Sequence, residues 1–286
     1  MNAIEIVNLS KKYHKILALN QMNLDVPAGT IYGIVGSNGA GKTTLIKALV
    51  GSLRPTSGSA KVLGLDPLKD KWELRRQIGY MPQAPALYDD LSARQNIAFF
   101  GQAQDVPDLK KRTEEILSFA ELTSRADDKV ETFSGGMKKR VSLCCALIHS
   151  PKILFLDEPT AAIDPHLKIQ SWNLFRQLAQ KGVTIFISTH QMDEAMLCDK
   201  VTILSNGEII AVDAPQKILE RGKTKLKITV NGEGKTAFID STAENLAEEL
   251  KKYGLDQNVS SVELQPDHIE DIILSILQEK EKEGKQ

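Results

Sequence analysis

The sequence predicts an α/β protein built on a parallel sheet, with a helical insertion and a separate small α/β domain. Three observations carry that prediction. Short, largely apolar runs at Ile31–Val35, Ile153–Asp157 and Val183–Ser188 alternate with helix-like segments, as strands covered on both faces do. Between Leu91 and Ile148 the strand signals give way to helical ones. Past about Gly222 a second order begins: strand, strand, helix, strand, helix. A chain of 286 residues has room for one large domain and a small appendage, set here at 1–220 and 221–286.

In chain order, Ala3–Leu9, Met22–Val26, Ile31–Val35 and Ser59–Val62 read as strands, interrupted by a helix over Leu45–Val50. Gln77–Met81 is a further strand, stopped by Pro82. In the insertion, about 88–150, Ser92-x-x-Gln95 forms a capping box, Pro107 opens a second helix and Ser134 a third. Strands return at Ile153–Asp157, Val183–Ser188 and Val201–Leu204, separated by helices over Pro165–Gln180 and Gln191–Cys198. In the small domain, Leu226–Val230 and Thr236–Ile239 flank a hairpin turn at Asn231-Gly232. Ile269, Ile272, Ile273, Ile276 and Leu277 mark one face of a last helix, before a charged, frayed tail from Glu279 to Gln286.

Composition narrows the function classes. Lys+Arg 36 against Asp+Glu 37 gives a net charge of -1, so no global basic field argues for nucleic acid. Cys144, Cys145 and Cys198 lack metal-ligand spacing and read as small core residues. The start Met1-Asn2-Ala3-Ile4-Glu5 lacks a signal-peptide pattern, and no apolar run approaches the roughly 18 residues of a membrane span. A cytosolic protein is expected, with any membrane role reached through a partner.

The motif with the most chemistry is Gly36-Ser37-Asn38-Gly39-Ala40-Gly41-Lys42-Thr43-Thr44, between a buried strand and a helix. Its backbone N–H groups can converge on polyphosphate oxygens, helped by the positive end of the helix. Lys42 would reach the β- and γ-phosphates and the Thr43 hydroxyl would hold Mg²⁺. The strand Ile153–Asp157 ends in two carboxylates. Asp157 is placed to bind Mg²⁺ beside Thr43, and Glu158 to polarise a water for in-line attack on the γ-phosphate. Ser134-Gly135-Gly136 opens a helix with a hydroxyl and unshielded N–H groups, a second anion site. It needs another ligand or another copy's nucleotide, and two chains in a C2 arrangement joined by ATP would satisfy both sites twice.

Over roughly residues 3–220 these motifs resemble one family, the ATP-binding cassette (ABC) ATPases, and within it the nucleotide-binding subunits of ABC transporters. Gly36–Thr43 is similar to the family's Walker A motif, and Ile153–Glu158 to Walker B with the catalytic glutamate. Phe133-Ser134-Gly135-Gly136-Met137 resembles the signature motif, Gln83 the Q-loop glutamine, Ala161-Ala162-Ile163-Asp164 the D-loop and His190 the switch histidine. Tyr13 stands where the family's early aromatic stacks on adenine. The resemblance implies a P-loop NTPase (RecA-like) core with an antiparallel β subdomain, and Mg²⁺-dependent ATP hydrolysis. In it Gln83 touches the metal and relays nucleotide state to a partner, while His190 contacts the γ-phosphate.

Two departures stand out. Phe133 and Met137 replace the commoner Leu and Gln of the signature, and apolar Met137 cannot make the Gln amide's hydrogen bonds. This form resembles the drug, lipid or polysaccharide exporter branch. Ala161-Ala162 replaces the usual Ser-Gly-type entry to the D-loop.

Three functions are weighed. The first is an ATPase subunit that drives a separately encoded integral membrane permease from the inner face of the membrane, as a homodimer or with a second cassette. The second is a soluble ABC ATPase acting on nucleic acid or ribosomes, which usually carries coiled-coil insertions, zinc modules or a second cassette; none is visible. The third is a non-hydrolysing regulatory module, against which intact Glu158 and His190 argue. The small tail domain does not decide among them, and the transported substrate would be contacted by the partner chain.

Overall fold

The computed structural model describes residues 1–161, 163–254, 258–267, 271–272 and 275–276. It divides into two compact units, residues 1–209 and 210–286.

The first unit opens with β1 (Asn2–Tyr13), β2 (Ile16–Pro27), β3 (Ile31–Val35), α1 (Lys42–Leu49), β4 (Ser57–Val62), α2 (Lys71–Arg75) and β5 (Ile78–Met81). The insertion supplies α3 (Ala93–Ala103), α4 (Leu109–Phe119) and α5 (Gly135–Leu147). Then come β6 (Ile153–Asp157), α6 (Pro165–Gln180), β7 (Thr184–Thr189), α7 (Met192–Ala195) and β8 (Lys200–Ser205), and β9 (Glu208–Asp213) crosses the division between the units. β1 pairs antiparallel with both β2 and β4 in a three-stranded sheet of order β2-β1-β4. The main sheet has the order β5-β6-β7-β3-β8-β9, with parallel pairing from β5 through β8. Because these strands run the same way, β3, β5, β6 and β7 end at one edge of the sheet.

The apolar runs explain this sheet. Every residue of β3, β6 and β7 is buried, which demands side chains that tolerate cover on both faces. Tyr32 and Phe186 stack with ring centroids 6.0 Å apart, and Phe155 meets Phe186 at 5.6 Å. Full burial of such a side chain contributes about 1.5–3 kcal/mol. Tyr32 keeps its hydroxyl bonded to Thr202 at 2.8 Å, and burial pushes its pKa up to about 12. Cys144, Cys145 and Cys198 are free and buried.

In the insertion, α3 starts with the expected box: Ser92 Oγ accepts from the Gln95 N–H at 3.2 Å, and Gln95 Oε1 from the Ser92 N–H at 2.8 Å. Buried Asn96 clamps the preceding loop, accepting from the Tyr88 N–H at 2.9 Å and donating to its carbonyl at 3.0 Å. Ser134 caps α5. Pro107 does not start α4 directly. Asp108 intervenes with φ 48°, a left-handed turn, so the proline belongs to the loop. The helix expected over Gln191–Cys198 is shortened to α7, and short 3₁₀ turns at Thr123–Arg125 and Val130–Thr132 lead into α5.

The second unit contains α8 (Pro215–Leu219), β10 (Lys223–Val230), β11 (Glu233–Asp240), α9 (Ala243–Lys251) and β12 (Val259–Pro266), with sheet order β11-β10-β12. The β10–β11 hairpin turns at Asn231 (φ 51°) and Gly232 (φ 82°), as the dipeptide requires. Leu226 and Ile228 are buried on one face of β10. Ile272 and Ile276 are buried too, as the last-helix pattern expects, whereas Ile269, Ile273, Leu277 and residues 279–286 lie outside the described residues.

Candidate functional site

The loop from β3 to α1 is a tight cradle set by glycine. A Cβ on Gly36 would stand 2.3 Å from the Leu204 carbonyl oxygen, and one on Gly41 (φ 110°) 2.5 Å from that of Ala18. No side chain caps α1, so its first N–H groups remain for an anion. Ser37, Asn38 and Gly39 are exposed, Ala40 is buried, and Thr43 and Thr44 are half-buried. Lys42, 5% exposed, donates to the carbonyls of Gly36 at 2.7 Å and Ser37 at 3.0 Å. A cavity of about 280 Å³ lies over this loop, lined also by Gln83 and Glu158.

The strand ends bring the remaining groups together. Val35 is in register with Thr189, Asp157 with Ser188 and Met81 with Leu156. Asp157 is 1% exposed; its Oδ1 accepts from Ser188 Oγ at 2.5 Å, and its buried Oδ2 has no partner. Glu158 takes a left-handed backbone (φ 49°), and its N–H donates to Ser188 O at 3.1 Å. That turn aims its carboxylate at three groups on other elements. Lys42 Nζ is 3.5 Å from Oε1, His190 Nδ1 is 3.3 Å from the same oxygen, and Gln83 Nε2 donates to Oε2 at 3.1 Å.

The lone Oδ2 of Asp157 tests whether a cation fits. An unpaired buried carboxylate oxygen is costly, and a hard divalent ion is a natural partner for it. Among the described residues no group of three or more His, Cys, Asp or Glu could hold a metal. A Mg²⁺ here needs phosphate oxygens and waters to complete its shell, which is how that ion is usually held.

Several supporting residues escape sequence reasoning. Ser188 orients Asp157 from the neighbouring strand. Lys139, on α5, donates to the carbonyls of Glu158 at 2.9 Å and Ala161 at 2.5 Å, and burial lowers its pKa. Glu194 and Lys168 brace the segments around Thr160 and Thr189. In sequence Ser188 looks like an ordinary strand hydroxyl and the other three like ordinary helix charges, and only their contacts distinguish them.

Two expected groups stand elsewhere. Ser134 and Gly135 are exposed and Gly136 half-buried at the start of α5, outside the cavity lining. Ser134 Oγ accepts from the Met137 N–H at 3.3 Å, and a Cβ on Gly135 would meet nothing within 4 Å. Tyr13 ends β1, 41% exposed, with Lys11 Nζ 4.9 Å from its ring centroid, and does not line the cavity either.

Comparison with known proteins identifies the family. The family described as "ABC transporter" matches residues 19–161. The linearmycin resistance ATP-binding protein LnrL of Bacillus subtilis (strain 168) is 36% identical over 234 residues, which are 80% of this chain and 75% of that protein. The probable multidrug ABC transporter ATP-binding protein YbhF of Escherichia coli (strain K12) is 38% identical over 75% of this chain, which spans only 38% of that protein. Among solved structures, a dimeric post-hydrolysis state of the ATP-binding cassette MJ0796, bound to ADP and Pi, superposes with a TM-score of 0.70. It is 27% identical, covering 74% of this chain and 98% of that one. The chain belongs to the ABC transporter family, as one of its ATP-binding, ATP-hydrolysing cassettes.

Proposed function

We propose that this cassette powers export through a separately encoded integral membrane permease, docked at the inner face of the membrane. The relatives' names, one for linearmycin resistance, one for multidrug transport and a third, 37% identical, for Nod factor export, support the export direction. Among the described residues no helix is long and apolar enough to cross a membrane. Tyr13 stacks on the adenine, and Gly36–Thr44 with Lys42 cradle the phosphates. Thr43, Asp157 and Gln83 would hold Mg²⁺, which when bound neutralises charge on the β- and γ-phosphates. Glu158 orients the attacking water, and His190 reads the γ-phosphate. The domains assigned are 1–220 for nucleotide and 221–286 as an accessory.

The single observation that carries the catalytic reading is the arrangement at the end of β6. A buried carboxylate with one free oxygen sits beside a second carboxylate, which Lys42, Gln83 and His190 all approach. One carboxylate suits a cation, and its neighbour a water.

Ser134, Gly135 and Gly136 complete the site of a second copy, or of a different cassette, with ATP between them. The exposure of Ser134 and Gly135 and the open space beside Gly135 support this. Glu158→Gln should bind Mg-ATP and accumulate as an ATP-closed dimer in sedimentation; a strictly monomeric protein at saturating ATP counts against the homodimer. The permease docks along the insertion near Gln83. Photo-crosslinkers within Tyr88–Arg94 should capture a membrane subunit; steady capture of ribosomes or DNA instead would overturn the assignment.

A further inference from the structure

Glu194 is 1% exposed, yet it lies in α7 just past His190. Each of its carboxylate oxygens takes a threonine hydroxyl. Thr160 donates to Oε1 at 2.6 Å and Thr189 to Oε2 at 2.6 Å. Lys168 from α6 stands 3.0 Å from Oε1 as counter-charge, and also donates to Gln191 Oε1 at 2.6 Å.

These partners flank the proposed catalytic pair. Thr160 belongs to the turn that follows Glu158, and Thr189 immediately precedes His190. The Thr189 hydroxyl also accepts from the Gln191 N–H at 3.0 Å, so His190 is bracketed by bonds on both sides. The His190 ring is 40% exposed, and its Nδ1 stands 3.3 Å from Glu158 Oε1. The ring is carried by a turn whose backbone the Thr189 hydroxyl fixes through Gln191. A buried ion pair is a weak means of gaining stability, since apolar residues often do as well. Directional bonds to two separate segments are what it supplies.

We propose that Glu194 is a positioning residue for hydrolysis: through Thr160 and Thr189 it ties the Glu158 turn to the His190 turn, so that both side chains meet one γ-phosphate. The inference rests on the catalytic roles proposed for Glu158 and His190. It predicts that loosening the tie slows the chemical step and leaves ATP binding intact, because the threonine hydroxyls bond Glu194 and the Gln191 N–H and not the phosphate loop. A displacement near 1 Å can lower a rate by about 10²-fold.

The test compares Thr160→Val, Thr189→Val, Thr160→Ser, Thr189→Ser and Glu194→Gln in the full chain with Mg-ATP. ATP affinity, kcat and melting temperature are measured for each. The valine variants should lose kcat by about 10–10²-fold with affinity nearly unchanged, and the serine variants should recover most of it. Valine variants that turn over normally per molecule of bound ATP, whatever their melting temperature, overturn the inference. So do serine variants as slow as the valine ones. Glu158→Gln runs alongside: if it hydrolyses normally, the catalytic reading beneath fails. If it is inactive while the valine variants are fast, only the positioning role fails.

Discussion

Two glycine-bearing helix starts in this cassette look alike in sequence and differ in structure. At the start of α1, Gly36 and Gly41 are imposed by the chain itself, because Leu204 O and Ala18 O occupy the space of a side chain. At the start of α5, a Cβ on Gly135 would meet nothing within 4 Å, and one on Gly136 would meet first the flexible end of the Leu167 side chain, at 3.2 Å. Gly36 and Gly41 therefore serve internal packing, whatever they also do for the proposed phosphate approach. Among the described residues nothing within 4 Å demands a glycine at 135, which leaves room there for the second copy's ATP proposed above.

The largest expected effect sharpens the cradle side. Glu158→Gln should lower turnover by about 10²–10⁴-fold, read as phosphate release, while ATP binding persists. Next, Gly135→Asp should abolish most turnover, since a carboxylate repels phosphate, yet leave the nucleotide affinity of the monomer and its unfolding midpoint unchanged. Loss of monomer affinity there would break the comparison. Gly36→Ala should do the opposite: overpacking against Leu204 O should cost about 1–3 kcal/mol in denaturant unfolding and weaken ATP binding directly. Ser134→Ala should remove the α5 cap and cost about 0.5–2 kcal/mol, a stability loss absent from Gly135→Ala, which should stay within about 0.5 kcal/mol of wild type.

Much of the site was legible because its parts are local. The cradle combines a buried strand, glycines, Lys42 and a helix start in one contiguous stretch, and β6 with the turn after it carries Asp157-Glu158 in the same way. The capping box of α3 and the Asn231-Gly232 hairpin are likewise short-range, set by backbone geometry within a few residues. The start of α4 was less so, since the left-handed turn at Asp108 competes with Pro107 for the boundary. Ser188, Lys139, Lys168 and Glu194 gave no signal, because a charge or hydroxyl in a helix or strand end reads the same whether solvated or buried.

The sequence by itself determined the alternation of strands and helices, the phosphate loop, the carboxylate pair and the family. These follow from hydrophobic period and from residues that are neighbours in the chain. Only the tertiary structure decided that Gln83, Glu158 and His190 converge beside Lys42, and that Asp157 keeps one oxygen unpaired. The physical reason is the parallel order of β5, β6, β7 and β3, which carries four distant segments to one edge of the sheet. Contacts between residues as far apart as Gln83 and Glu158 depend on strand order and register, and no local pattern encodes either.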